Sequence, residues 1–170
     1  VLIPGLKKGA FLGGVKYGKG FITCRGADRA WSAPGNVRVE GGSFGLQFGA
    51  GETDVFLLVM TEPGADRLLR SEFKLGGEAG LMAGPVGRTV QANTDAFMRA
   101  QMLGWSRSRG VFAGFALEGS TLREDRDDNR ALYGRDISNV EIVKGGKVTV
   151  PESARPLLQA LTRYSAMEDK

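Results

Sequence analysis

Arg107 and Arg109 stand on either side of Ser108 in the stretch Trp105 to Ser120, read WSRSRGVFAGFALEGS. Guanidinium groups this close could hold a phosphate, because each presents a planar fork of N–H donors that matches two oxygens. Lys7, Lys8, Lys16 and Lys19, near the start of the chain, could add point charges to the same kind of ligand. These six residues are the candidate head-group contacts for an anionic lipid. Each basic residue at such a surface contributes about 1 kcal/mol, less as salt rises. Taken one at a time, each is more simply a solvated surface charge.

The chemistry missing from the chain is equally informative. It has no histidine, which removes His-based triads, His general bases and His metal ligands together. Its one cysteine, Cys24, cannot form an intramolecular disulfide and lies in the apolar run Phe21 to Cys24, where a buried structural thiol is expected. No G-x-S-x-G elbow and no S-x-x-K occur. Binding rather than catalysis is the expected class, with no catalytic residue, no metal and no cofactor.

Two near-motifs fail on chemical grounds. Gly13 to Gly20, GGVKYGKG, comes close to the phosphate loop, but Gly20 stands where a magnesium-binding hydroxyl is needed and no helix follows. A glycine-permitted hairpin is the better reading, with two strands joined near Gly18-Lys19-Gly20. Asp125, Asp127 and Asn129 imitate the start of a calcium loop, yet Arg130 replaces its glycine and Asp136 its glutamate. A solvated helix of alternating charge fits this run better, ended by Tyr133-Gly134 with the glycine as a left-handed cap.

The net charge is +4 and the pI about 9.4, which favours anionic partners: phospholipid head groups, nucleic acid or an acidic protein. The 26 glycines recur inside apolar runs without a G-X-Y period, excluding collagen and a flexible linker. Strands that bend, bulge or pack closely remain. No run of eighteen apolar residues exists to span a membrane as a helix. The first residue is Val1, so a missing signal peptide says nothing about secretion.

The elements that must position these residues follow from periodicity. Val1 to Lys8 reads as a terminal strand. In Ser43 to Ala50, Phe44, Leu46 and Phe48 share one face and small residues the other. Asp54 to Thr61 is a continuous apolar run, expected as a central strand. Thr61 caps a short helix with Pro63 in its first turn and Leu68 and Leu69 facing inward. Phe73 to Arg88 returns to strand, with a bend at Gly84-Pro85. Ala100 to Trp105 is strand, Arg107-Ser108-Arg109 a turn, and Val111 to Leu117 a central strand covered on both sides. Ile137 to Val143 is a short amphipathic piece, and Pro151 opens a last helix through Met167 with Leu157, Leu158, Leu161 and Tyr164 on one face. The expected fold is α+β: a strongly bent, mostly antiparallel sheet, open or barrel-like, with two or three helices packed on it, in a single domain over residues 1–170.

The residues Ser106, Ser108, Arg109, Gly110, Phe112, Ala113, Gly114, Leu117, Glu118, Gly119 and Ser120 resemble the signature of the SYLF lipid-binding domain family, which includes yeast actin-patch proteins that bind the Las17 actin regulator. Trp31-Ser32-Ala33-Pro34, Gly84-Pro85-Val86-Gly87-Arg88, Asn129 and Tyr133-Gly134 are similar to further family blocks in the same order. The resemblance covers about Ala10 to Leu161. It implies a non-catalytic peripheral module that recognises anionic, phosphoinositide-like head groups. The alternatives are an actin-binding-like interaction module, with an acidic or cytoskeletal protein as partner, and a carrier with a cavity lined by glycine-rich strands. Nucleic acid is not an expected partner. The expected setting is a membrane surface, in the cell envelope of a bacterium or the cytoplasm of a eukaryote.

Overall fold

Nine-residue strands dominate the first part of the chain: β1 spans Leu2–Ala10, β2 Gly14–Ile22, β3 Gly35–Ser43 and β4 Gly51–Val59. The shorter strands are β5 (Glu72–Leu75), β6 (Leu81–Ala83), β7 (Met102–Ser108), β8 (Val111–Ala113) and β9 (Ser120–Glu124). The structure, a computed structural model, describes residues 1–10, 14–43, 51–70, 72–75, 81–84, 100–108, 111–113, 120–146 and 148–165. By contacts the chain forms two compact units, Val1–Gly20 with Val37–Glu124, and Phe21–Asn36 with Asp125–Lys170.

The fold class is α+β, with a curled, mostly antiparallel sheet. The strand order is β5-β9-β3-β2-β1-β4-β7-β6, and β8 also pairs with β7. β6 runs parallel to β7, while β1–β4, β4–β7, β7–β8, β3–β9 and β5–β9 are antiparallel. Among the described residues the order has two ends, β5 and β6, and does not close on itself.

One side of the sheet carries the core of the first unit. Ile3, Leu6, Val37, Val39, Val55, Leu57, Phe73, Met102 and Leu122 are all buried on it or at its margins. Each such side chain contributes roughly 1.5–3 kcal/mol when fully buried. β1 keeps Ile3 and Leu6 on this side, although they are three residues apart, because a bulge intervenes. Ile3 pairs with Val55 and Leu6 with Thr53, so Pro4 and Gly5 together oppose Asp54 alone. Gly5 adopts a φ of 60°, and Pro4 has no N–H to lose from the ladder.

Strand β2 corrects the expected hairpin at Gly18-Lys19-Gly20. The chain runs straight from Gly14 to Ile22, so the near-motif GGVKYGKG is extended strand and not a loop. The glycines serve packing instead. A Cβ on Gly18 would meet Ile3 and Leu6 side chains, and one on Gly20 would overlap Ile3 and the Leu2 carbonyl. The connection between β1 and β2 lies outside the described residues.

The apolar run of Asp54 to Thr61 forms β4, which is internal, between β1 and β7. It is not covered on both sides, however. Thr53, Val55 and Leu57 are buried, while Phe56 and Leu58 remain exposed. Arg107 and Ser108 are residues of strand β7 rather than of a turn. The expected strand Val111 to Leu117 is described only as far as Ala113, where β8 pairs with β7 alone. Phe44 to Ala50 and the Pro85 to Arg88 segment lie outside the described residues.

Helix α1 (Glu62–Leu68) is capped as expected: the Thr61 hydroxyl accepts the Gly64 N–H at 3.2 Å, and Leu68 and Leu69 are buried. The second unit holds α2 (Arg126–Tyr133), α3 (Asn139–Lys144), a 3-10 turn (Glu152–Ala154) and α4 (Arg155–Tyr164). Asp125 caps α2, and Gly134 ends it with a φ of 70° in the left-handed region. The Asp125-Asp127-Asn129 run is therefore a helix start and not a cation loop.

The core of the second unit is partly polar. Asn129 Oδ1 accepts from the Asn36 backbone N–H at 2.8 Å and from Asn36 Nδ2 at 3.1 Å. Its Nδ2 donates to Asn139 Oδ1 at 2.8 Å and to the Ile137 carbonyl at 3.3 Å. Asn139 Nδ2 then donates to the Asn36 carbonyl at 2.9 Å. All three asparagines are buried and mutually satisfied, as low-dielectric burial demands.

Candidate functional site

Alternation on the strands sorts the basic residues between two sides of the sheet. Lys16 falls in the buried set of β2 with Gly14, Gly18 and Gly20, and is only 9% exposed. Lys19 falls in the opposite set with Val15 and Tyr17. Lys7 follows buried Leu6 on β1 and is exposed; it stands directly opposite Glu52 of β4. Lys8 lies on β1 opposite Gly51. Arg107 is exposed on β7, directly opposite Asp54. Arg109 lies outside the described residues. Lys7, Lys19 and Arg107 thus emerge on the open side, and Lys16 does not.

The open side also carries apolar groups that the candidate set did not include. Val15, Tyr17, Phe56 and Leu58 are 64%, 44%, 38% and 38% exposed. Met60 is exposed just beyond β4. Phe56 and Trp105 sit opposite each other across β4 and β7, with ring centroids 5.8 Å apart and planes at 41°. Trp105 is held by a bare backbone: a Cβ on Gly84 would overlap its indole, and the Gly84 N–H donates to the Gly104 carbonyl at 2.7 Å. The sequence signal was the period-2 pattern of β4, masked because both of its sides are apolar.

Electrostatics on this side are locally matched. Arg107 Nε and Nη2 donate to Asp54 Oδ2 at 3.1 and 2.6 Å. Asp54 Oδ1 accepts the Gly5 N–H, freed by the bulge, at 2.9 Å. The Gly5 hydrogen bond, then Arg107, holds the Asp54 carboxyl below the usual aspartate range. Farther along the sheet, Arg123 joins Glu40 and Glu72 at 3.6 and 3.4 Å, and Arg38 meets Glu40 at 2.9 Å.

The resemblance blocks in the second unit build its core. Ser32 Oγ accepts the Cys24 N–H at 3.1 Å, and the Ser32 N–H donates to the Cys24 carbonyl at 2.8 Å. Tyr133 donates its hydroxyl to the Pro34 carbonyl at 2.6 Å. Burial pushes the Tyr133 hydroxyl up to about 12. Trp31 is half-buried, with the Arg25 guanidinium 5.8 Å from its ring centre. Cys24 is half-buried and unbonded.

Among the described residues no group of three or more Cys, Asp or Glu side chains could hold a metal ion. An open groove of about 490 Å³ runs along α4, lined by Val150, Arg155, Leu158, Gln159, Thr162 and Arg163 rather than by glycine-bearing strands. At Gly18 and Gly20 the bare strand is filled by Ile3 and Leu6, which is close packing and not a ligand cavity. No described helix is long and apolar enough to cross a membrane.

A curled α+β sheet with a mixed apolar and cationic open side defines the structural class. The chain belongs to the Ysc84 family, described as Las17-binding protein actin regulators, which it matches over residues 40–164. It is 36% identical to Protein YSC84 of Saccharomyces cerevisiae over 91% of this chain and 33% of that protein. It is 33% identical to the same yeast's LAS seventeen-binding protein 3, over 91% of this chain and 34% of that protein. It is 30% identical to the cattle SH3 domain-containing YSC84-like protein 1, over 93% of this chain and 46% of that protein. The chain thus spans between about a third and a half of the curated relatives it matches. No solved structure matches it.

Proposed function

We propose that this chain is a non-enzymatic interaction module of actin regulation, docking a protein partner at the cytoplasmic cell cortex. The observation that carries the reading is the family match over residues 40–164, together with relatives whose names describe Las17 binding. The open side of β2-β1-β4-β7 supports it, since exposed tryptophan, tyrosine and arginine are the residue types that dominate protein contacts. The direct experiment is capture of purified Las17 by this chain, with filament co-sedimentation beside it. Saturable binding to either protein is the expected result; indifference to both removes the reading.

A second reading, a surface for anionic phospholipid, is favoured by one arrangement: Lys7, Lys19 and Arg107 emerge beside exposed Val15, Tyr17, Phe56 and Leu58. Liposome pull-down separates the two. Lipid binding requires anionic vesicles and weakens as salt rises. Equal retention on neutral vesicles would leave only the protein partner.

A further inference from the structure

We propose that Asp54 is a built-in competitor for Arg107, an intramolecular counterion that withholds the guanidinium from anionic lipid head groups until they displace it. The inference rests on the second reading above. Three contacts carry it. Arg107 commits one full bidentate edge, Nε and Nη2, to a single oxygen, Asp54 Oδ2, at 3.1 and 2.6 Å. The other oxygen, Oδ1, is anchored by the Gly5 N–H at 2.9 Å. The backbone bulge at Pro4 and Gly5 supplies that N–H, so the fold itself aims the carboxylate at Arg107.

The cross-strand register adds a further constraint. Asp54 and Arg107 are directly opposite in the β4–β7 ladder, so both side chains leave the sheet on the same side and cannot separate without a rotamer change. A phosphate needs the donor edge that Asp54 now occupies. The pair is accessible, with side chains 52% and 36% exposed for Arg107 and Asp54. An exposed pair of this kind is weak enough for a multiply charged surface to break. Lys7 stands under the same restraint in outline, opposite Glu52.

The test uses Asp54→Asn, which keeps an oxygen for the Gly5 N–H but turns amide donors toward the guanidinium. Binding is measured by co-sedimentation with phosphatidylcholine vesicles, with and without phosphatidylserine. Asp54→Asn is expected to bind the anionic vesicles about fivefold more tightly than the parent chain, the effect of roughly one released basic residue. Neutral vesicles should not distinguish the two. Arg107→Ala should barely change the parent chain, whose Arg107 is already occupied, yet should erase the gain in the double variant. If Asp54→Asn unfolds, Asp54→Ser supplies the same charge removal with a hydroxyl acceptor. Anionic-vesicle binding by the parent chain with no gain in either variant overturns the counterion and leaves the lipid reading standing. No binding by parent or variants sinks both.

Discussion

Asn129 and Asn139 share a hydrogen bond of 2.8 Å in the core of the second unit, and neither is more than 1% exposed. Asn129 also receives two donors from Asn36, so one amide ties the segment before β3 to α2 and to the start of α3. Asn129→Ala strips partners from the Asn36 amide and from Asn139 Oδ1 together. It should cost about 3 kcal/mol of stability in urea unfolding. Asn129→Asp should cost more, because oxygens would then face the Ile137 carbonyl and Asn139 Oδ1. A loss below about 1 kcal/mol for Asn129→Ala would show that this network does not hold the unit together.

Glycines in β2 give a ranking rather than a single value. A methyl on Gly20 meets backbone, the Leu2 carbonyl and the Ile3 Cα, which cannot yield without moving β1. A methyl on Gly18 meets first the Leu6 Cδ1 at 2.7 Å, the far end of a side chain that can rotate. Gly20→Ala should therefore destabilise by about 2–3 kcal/mol and Gly18→Ala by about half as much. Thermal unfolding of the two variants checks the order, and the reverse order contradicts the packing.

Tyr133 gives a pH dependence of known sign. Its hydroxyl is raised from 10.0 to about 12 by burial, so the folded state holds the proton longer than the unfolded state. The stabilisation is complete below pH 10 and is lost as pH climbs from there through about 12. Tyr133→Phe removes this titration and the 2.6 Å bond to the Pro34 carbonyl. Near neutrality it should cost about 1 kcal/mol, and the gap to the parent chain should close as pH passes 10. A gap that stays constant across that range would contradict the assignment.

The open side of β4 separates binding from folding. Leu58 is 38% exposed, on the side opposite buried Leu57. Leu58→Glu should leave stability within about 0.5 kcal/mol, as for other surface changes. Capture of the protein partner should fall at least tenfold if this side makes the contact. Unchanged capture would move the interface elsewhere on the chain.

Residues with local consequences were legible in the sequence. Thr61, Pro63 and Gly134 mark helix ends because capping depends on a few neighbouring atoms, and all three stand where their chemistry placed them. The fold class followed from hairpin-length spacings and short helices. Helix α3 carries its own signature, a capping box in which Ser138 and Glu141 satisfy each other's backbone N–H, inside a segment read only as amphipathic. Gly18 and Gly20 misled, since a glycine that turns the chain and one that admits a neighbouring strand look alike in one dimension. The pairing of Asp54 with Arg107 was invisible for a related reason: only the β4–β7 register brings the two together across the intervening sequence. Lys16 illustrates the same limit, because alternation assigns it to one side of β2 only once the phase of that strand is known.

The bulge in β1 gives that strand one residue more than its partner uses between Ile3 and Leu6. Removing Gly5 would return the ribbon to simple two-step alternation with Ile3 and Leu6 still in phase, whereas removing a residue between Leu6 and Lys8 would invert everything beyond it. The strand therefore has a single position at which it can be shortened without turning its lining outward, and that position is the one whose amide steadies Asp54.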